Sequence, residues 1–193
     1  MAKAKPIGKL NAQAPTGVNA RTIARTRLEE MYSWEAYVDN PYRVRELHNL
    51  RIAAKRLRYT LEIFQAVLPE VVAPIIKEVE QLQEELGALH DSDVLIALLR
   101  LCLGSQDSGT GYEQALMKAT HRKGKGRFAL NPALVAYLVD PSAAPSSEQR
   151  RGLEQLLLSS EHCREEQYSA FLRHWSQLQS RNFRQEILDL LHT

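Results

Sequence analysis

VRELHNLRIAAKRLRYTLEIF, residues 44–64, is the stretch from which the rest of the chain can be read. Leu47, Leu50, Ala54, Leu57, Leu61, Phe64 and, just beyond it, Leu68 recur at alternating steps of three and four, the seam of a helix packed into a bundle. His48, Arg51, Lys55 and Arg58 follow the same rhythm one residue later. These four fall within an arc of about 80° beside the seam and run along roughly 15 Å of helix. A packed helix therefore carries a cationic row on its shoulder, with Tyr59 in the same sector.

The surrounding chain sets the scale. Its 193 residues and 44% hydrophobic content suit one soluble domain with a real core. No apolar run is long enough to span a membrane, and MAKAKPIGKL at the start lacks the apolar segment of a secretory signal, so a cytoplasmic protein is expected. Cys102 and Cys163 have neither metal-site nor disulfide-framework spacing and read as small core residues. A net charge of +2 does not by itself call for a polyanion, so any such claim rests on how the charge is distributed. Between residues 43 and 58, Arg43, Arg45, Arg51, Lys55, Arg56 and Arg58 face one acid, Glu46. Between residues 77 and 93 the balance inverts, with Glu78, Glu80, Glu84, Glu85, Asp91 and Asp93 against Lys77.

In chain order, residues 1–17 read as a flexible basic tail and residues 18–193 as one helical domain. A first helix is expected from a cap at Asn19 to about Val38, with Arg21, Arg25 and Tyr32 on one side. Asn40 and Pro41 suit the start of the helix that bears the cationic row, which should run to about Leu68. Pro74 belongs in the first turn of a third helix with Ile75, Val79, Leu82, Leu86 and Leu89 inward, and Gly87 is its weak point. The following HDSDVLIALLRLCL either continues with a bend or restarts at Val94 behind a cap at Asp91 or Ser92. Short helices are expected at residues 112–121 and 131–139, then a long one from Glu148 with Leu153, Leu156, Leu157, Cys163, Phe171, Leu172, Trp175 and Leu178 inward. Ser180 is placed to cap a final helix with Phe183, Ile187, Leu190 and Leu191 inward. No alternating strand pattern appears, and the expectation is an all-α antiparallel bundle of about six to seven helices.

A row of guanidinium and ammonium groups binds phosphate through charge-assisted hydrogen bonds, and the three-and-four spacing meets several phosphates in succession. His48 can serve as a neutral donor or, with an ordinary pKa of about 6.5, as a further cation. The competing structural reading is that the row neutralises the acidic third helix, or pairs locally through Arg58 and Glu62. Spacing alone leaves both open.

The segment LHNLRIAAKRLRYTLEIF, residues 47–64, resembles the signature helix of the CHAD domain, the conserved histidine α-helical domain. LQEELGALHDSDV, residues 82–94, is similar to that family's second recurring segment. The resemblance implies a non-enzymatic, all-helical module that binds inorganic polyphosphate on a basic surface, with an association with polyphosphate granules. It implies anion-binding positions at His48, Arg51, Lys55 and Arg58, with Arg56 and Tyr59 inside the motif. Family members commonly carry two related halves, each with its own histidine-and-arginine helix, and this chain has one good copy. Other helices, or a second subunit in a homodimer, would then have to form the opposite wall.

Secondary candidates come from elsewhere. Arg21 and Arg25 can join the row from the first helix. Lys123, Lys125 and Arg127 in RKGKGR are donors for a phosphate chain, although the segment lacks P-loop spacing. Arg173 and His174 read as a polar pair beside a core Trp175. His90 with Asp91 and Asp93 is better explained by capping than by a metal, with Asp91 also placed to orient a cation of the row, and no cofactor is called for. Three competitors remain. An enzyme of phosphoryl transfer or polyphosphate hydrolysis would use His48 but lacks the usual acidic metal-holding set. Nucleic-acid binding is disfavoured by near-neutral charge and few aromatics. A helical scaffold without an anion site is the third.

Overall fold

The computed structural model describes residues 3–8, 10–103 and 146–192. Among them are five α-helices and two short 3₁₀ turns, with no strand, so the all-α architecture holds. The helices are α1 (Thr16–Tyr32), α2 (Val44–Ile63), α3 (Val72–Cys102), α4 (Ser147–Ser180) and α5 (Phe183–Leu190). The helices expected at residues 112–121 and 131–139 lie outside the described residues.

Several boundaries move for identifiable reasons. α1 begins three residues before Asn19, behind Pro15, whose φ of −53° already suits a helix entry. Asn19 spends its side chain on the preceding segment instead: its Oδ1 accepts from the Asn11 amide at 3.1 Å and its Nδ2 donates to the Asn11 carbonyl at 2.8 Å. The basic tail runs beside α1 as well, the Arg27 guanidinium donating to the Lys5 carbonyl at 3.0 Å. α1 stops at Tyr32, and a 3₁₀ turn over Glu35–Tyr37 carries the chain to buried Val38. Asn40 does not cap α2; its Oδ1 accepts from the Tyr42 amide, making a local turn before the helix starts at Val44. α2 ends at Ile63, and a second 3₁₀ turn, Gln65–Val67, leads to Leu68. α3 passes through Gly87 and Asp91 without a break. Leu86 and Leu89 are fully buried on either side of Gly87, and that burial outweighs a glycine cost of about 1 kcal/mol. Ser180 closes α4, and Asn182 leads into α5 with φ of 56°, a left-handed conformation that asparagine tolerates.

The chain divides into two compact units, Met1–His90 with Glu166–Thr193, and Asp91–Glu165. In the first, Ala20, Ala24 and Leu28 of α1 meet Leu50, Leu57 and Leu61 of α2, all with no exposed surface. Val79, Leu82, Leu86 and Leu89 supply the α3 stripe, and Phe171, Trp175 and Leu178 of α4 close the core with Phe183 and Ile187 of α5. Each fully buried leucine or phenylalanine contributes about 1.5–3 kcal/mol. The Tyr168 hydroxyl donates to the Val38 carbonyl at 2.8 Å, satisfying a buried polar tip.

In the second unit the described parts of α3 and α4 are joined by Arg164 to Asp93 at 2.5 Å and Arg100 to Glu161 at 2.7 Å, over buried Ile96, Leu99 and Leu103. The inward positions of α4 here are Leu153, Leu157 and Ser160; Leu156 is 47% exposed and Cys163 is exposed, against expectation. Ser160 fits the stripe because its hydroxyl folds back onto the Leu156 carbonyl at 2.8 Å. Cys102 is partly buried.

Candidate anion-binding site

The cationic row of α2 lies against α3. Arg58 Nη1 donates to Glu80 at 2.5 Å. A Cβ at Gly87 would lie 3.5 Å from Arg51 Nε, so the Arg51 side chain crosses α3 at its glycine. The His48 and His90 rings are 4.4 Å apart between centroids. These contacts step up α2 as they step down α3, as an antiparallel pair requires, and the same register sets Lys55 level with Gln83.

The pairing has a simple origin. His48, Arg51, Lys55 and Arg58 each follow an inward residue of α2 by one position, and Glu80, Gln83, Gly87 and His90 each follow one of Val79, Leu82, Leu86 and Leu89. Two antiparallel helices sharing a core present equivalent shoulders to each other, so the two following stripes meet. A shoulder of α3 thus forms the wall opposite the row.

The row is polarised along its length. Arg58 is held by Glu80 and, at 3.6 Å, by Glu62. Its guanidinium lies 4.9 Å from the centre of the exposed Tyr59 ring, and Lys55 Nζ lies 5.5 Å from the same ring. Among the described residues no carboxylate pairs with Arg51 or Lys55. The Arg51 Nε and His48 Nδ1 are buried with no hydrogen-bond partner in the protein. Burial, the neighbouring His90 and the Arg51 charge together hold the His48 imidazole down to about 4 from 6.5, so at neutral pH it is uncharged.

The other sequence candidates have surroundings of their own or lie outside the described residues. Arg56 sits on the opposite shoulder of α2, where it pairs with buried Glu30, which Arg27 also holds at 2.7 Å. Arg25 donates to the Leu191 carbonyl at 2.5 Å, and both Arg25 and Arg21 have a buried Nε without a partner in the protein. Arg21 Nη1 lies near Gly17 at the start of α1. Lys123, Lys125 and Arg127 lie outside the described residues.

The acids of α3 do not all serve the row. Glu78 and Glu85 point to α4, where His174 meets them through Nε2 at 3.2 Å and Nδ1 at 2.8 Å, and Arg181 donates to Glu78 at 2.9 Å. Burial alone would raise the Glu78 carboxyl, but hydrogen bonds from His174 and Arg181 outweigh it and hold the pKa below its ordinary value. His174, expected on a polar face, is buried because these two carboxylates satisfy both of its ring nitrogens. Asp91 is exposed and Asp93 is engaged by Arg164. A shallow depression of about 680 Å³ beyond the end of α2, between Glu62 and Glu70, is lined by two carboxylates and no cation, which suits no anion.

The competing reading, a row that pairs with the acidic third helix and locally with Glu62, holds at Arg58, which meets both Glu80 and Glu62; Gly87 and His90 as the facing residues were missed. The signal was present: they hold the same one-after-the-seam positions on α3 that define the row on α2.

The family model described as the CHAD domain matches residues 3–100, which contain the whole of α1 and α2 and nearly all of α3. No curated protein and no solved structure matches the chain. Both elements of the α2–α3 groove fall inside the matched segment, and the chain belongs to the CHAD domain family.

Proposed function

We propose that the protein binds inorganic polyphosphate along the α2–α3 groove without turning it over. One observation carries the reading: Arg51 and His48 hold buried N–H or ring-nitrogen groups with no protein partner, beside Lys55 and Arg51 charges that no carboxylate among the described residues neutralises. A buried donor without an acceptor costs about 1–3 kcal/mol, which an anion accepting from it would recover. The family's link to polyphosphate supports the same ligand. A chain of phosphates, each with its own charge, matches a row about 15 Å long better than a single ion does.

His48 is poorly suited to acid–base work. Held near 4, the imidazole is a weak base at neutral pH, whereas efficient general catalysis wants a pKa near the working pH. Its role under this reading is that of a neutral donor. The protein would reside where polyphosphate does, in the cytoplasm or on polyphosphate granules.

A length titration tests the reading. Long-chain polyphosphate should bind far more tightly than orthophosphate, and the Arg51→Ala, Arg58→Ala double variant should lose that preference. Equal binding by the double variant refutes the site. Phosphate release from polyphosphate with magnesium that disappears in His48→Ala would replace binding by catalysis.

A further inference from the structure

Among the described residues, carboxylates pair with the row at its Arg58 end and not at its Arg51 end. At the Arg51 end the donors face glycine and an imidazole ring. At the Arg58 end a carboxylate already occupies the guanidinium: Glu80 at 2.5 Å, with Glu62 behind it at 3.6 Å. An anion that takes the Nη1 donors of Arg58 must displace Glu80. The displacement is feasible because the Glu80 side chain is 42% exposed and, among the described residues, held by this one ion pair, so it can swing into water. Glu78 and Glu85 differ in kind, since His174 and Arg181 tie them to α4 away from the row.

We propose that Glu80 is a specificity-determining residue, an internal competitor that makes occupancy of Arg58 conditional on an anion already held at Arg51 and Lys55. This rests on the polyphosphate reading and adds to it a reason for preferring long chains. A single phosphate arriving at Arg58 must outbid a tethered carboxylate whose local concentration is high. A chain anchored at Arg51 competes from the same footing, because its next phosphates are tethered too. Orthophosphate is thereby excluded from Arg58, while a long chain takes the whole row at a modest cost.

Titration calorimetry with long-chain polyphosphate on four proteins tests this: wild type, Glu80→Gln, Arg58→Ala, and Glu80→Gln with Arg58→Ala. Glutamine keeps the shape of the side chain and removes its charge. Glu80→Gln should bind about two- to fivefold more tightly than wild type, the scale of one partly exposed ion pair. In the Arg58→Ala background the same substitution should have a clearly smaller effect, since only the general loss of a negative charge remains. Orthophosphate should gain detectable binding in Glu80→Gln alone. An unchanged affinity in Glu80→Gln, or an equal gain with and without Arg58, overturns the role of Glu80 while leaving the polyphosphate site intact. Failure of wild type to bind polyphosphate overturns the site itself, and the role of Glu80 with it.

Discussion

Acidifying the protein should expose the burial of His48. In the unfolded chain its imidazole takes up a proton near pH 6.5, whereas in the folded protein burial, His90 and Arg51 delay protonation to about 4. Between these values the unfolded state holds the extra proton, so stability is unaffected above pH 6.5, falls as the pH drops through that value, and stops falling below about 4. For a fully shielded ring the span would be worth about 3 kcal/mol; His48 keeps some contact with water, which screens the penalty to about half of that. The assay is urea unfolding of wild type and His48→Gln at pH 7.5 and pH 4.5. Glutamine keeps a neutral donor and cannot titrate, so wild type should lose about 1–1.5 kcal/mol more than the variant over this interval. Equal losses, or a His48 resonance that titrates near 6.5 in the folded protein, would refute the placement of the ring in the α2–α3 seam. Bound polyphosphate adds negative charge beside the ring, so its affinity should also rise as the pH falls from 7 toward 5.

Other outcomes follow from the same geometry. Gly87→Ala should stabilise the fold by about 1 kcal/mol, because the new methyl meets Arg51 Nε at an ordinary contact distance of 3.5 Å and the helix gains propensity; thermal unfolding that moves downward would mean that Arg51 lies closer. Glu30→Ala should cost about 2–3 kcal/mol in chemical denaturation, since it removes the buried carboxylate that Arg27 and Arg56 both hold, yet leave polyphosphate affinity within about twofold because Arg56 lies on the far shoulder of α2. The logarithm of the polyphosphate binding constant should fall with the logarithm of salt at a slope of about −2 for three engaged cations, and Arg51→Ala should shallow it by about 0.7.

The seam of α2 and the row beside it were legible in the sequence because both follow from helical periodicity alone. So were the α3 stripe and Pro74 in its first turn, at Val72–Cys102. Periodicity does not reveal which neighbour a shoulder meets. Arg56 lies in the same basic run as Arg51 and Lys55, yet its direction around the helix sends it to Glu30. Glu78 and Glu80 are two residues apart, and that step of about 200° sends one to His174 and the other to Arg58. Boundaries were misread where a side chain had a better local partner than a cap, as at Asn19 and Asn40. Gly87 read as a weak point with continuation and restart both open, because propensity alone does not say how far the burial of Leu86 and Leu89 on either side outweighs it.

If the anion lies between α2 and α3 as proposed, arginine side-chain NMR reads it directly. On adding long-chain polyphosphate, the Nε–H signal of Arg51 should shift strongly and slow its exchange with water, together with the His48 ring signals, while the Nε–H signals of Arg56 and Arg181 stay in place. Shifts centred on Arg56 or on the α4 cluster around His174, with Arg51 unmoved, would contradict the account.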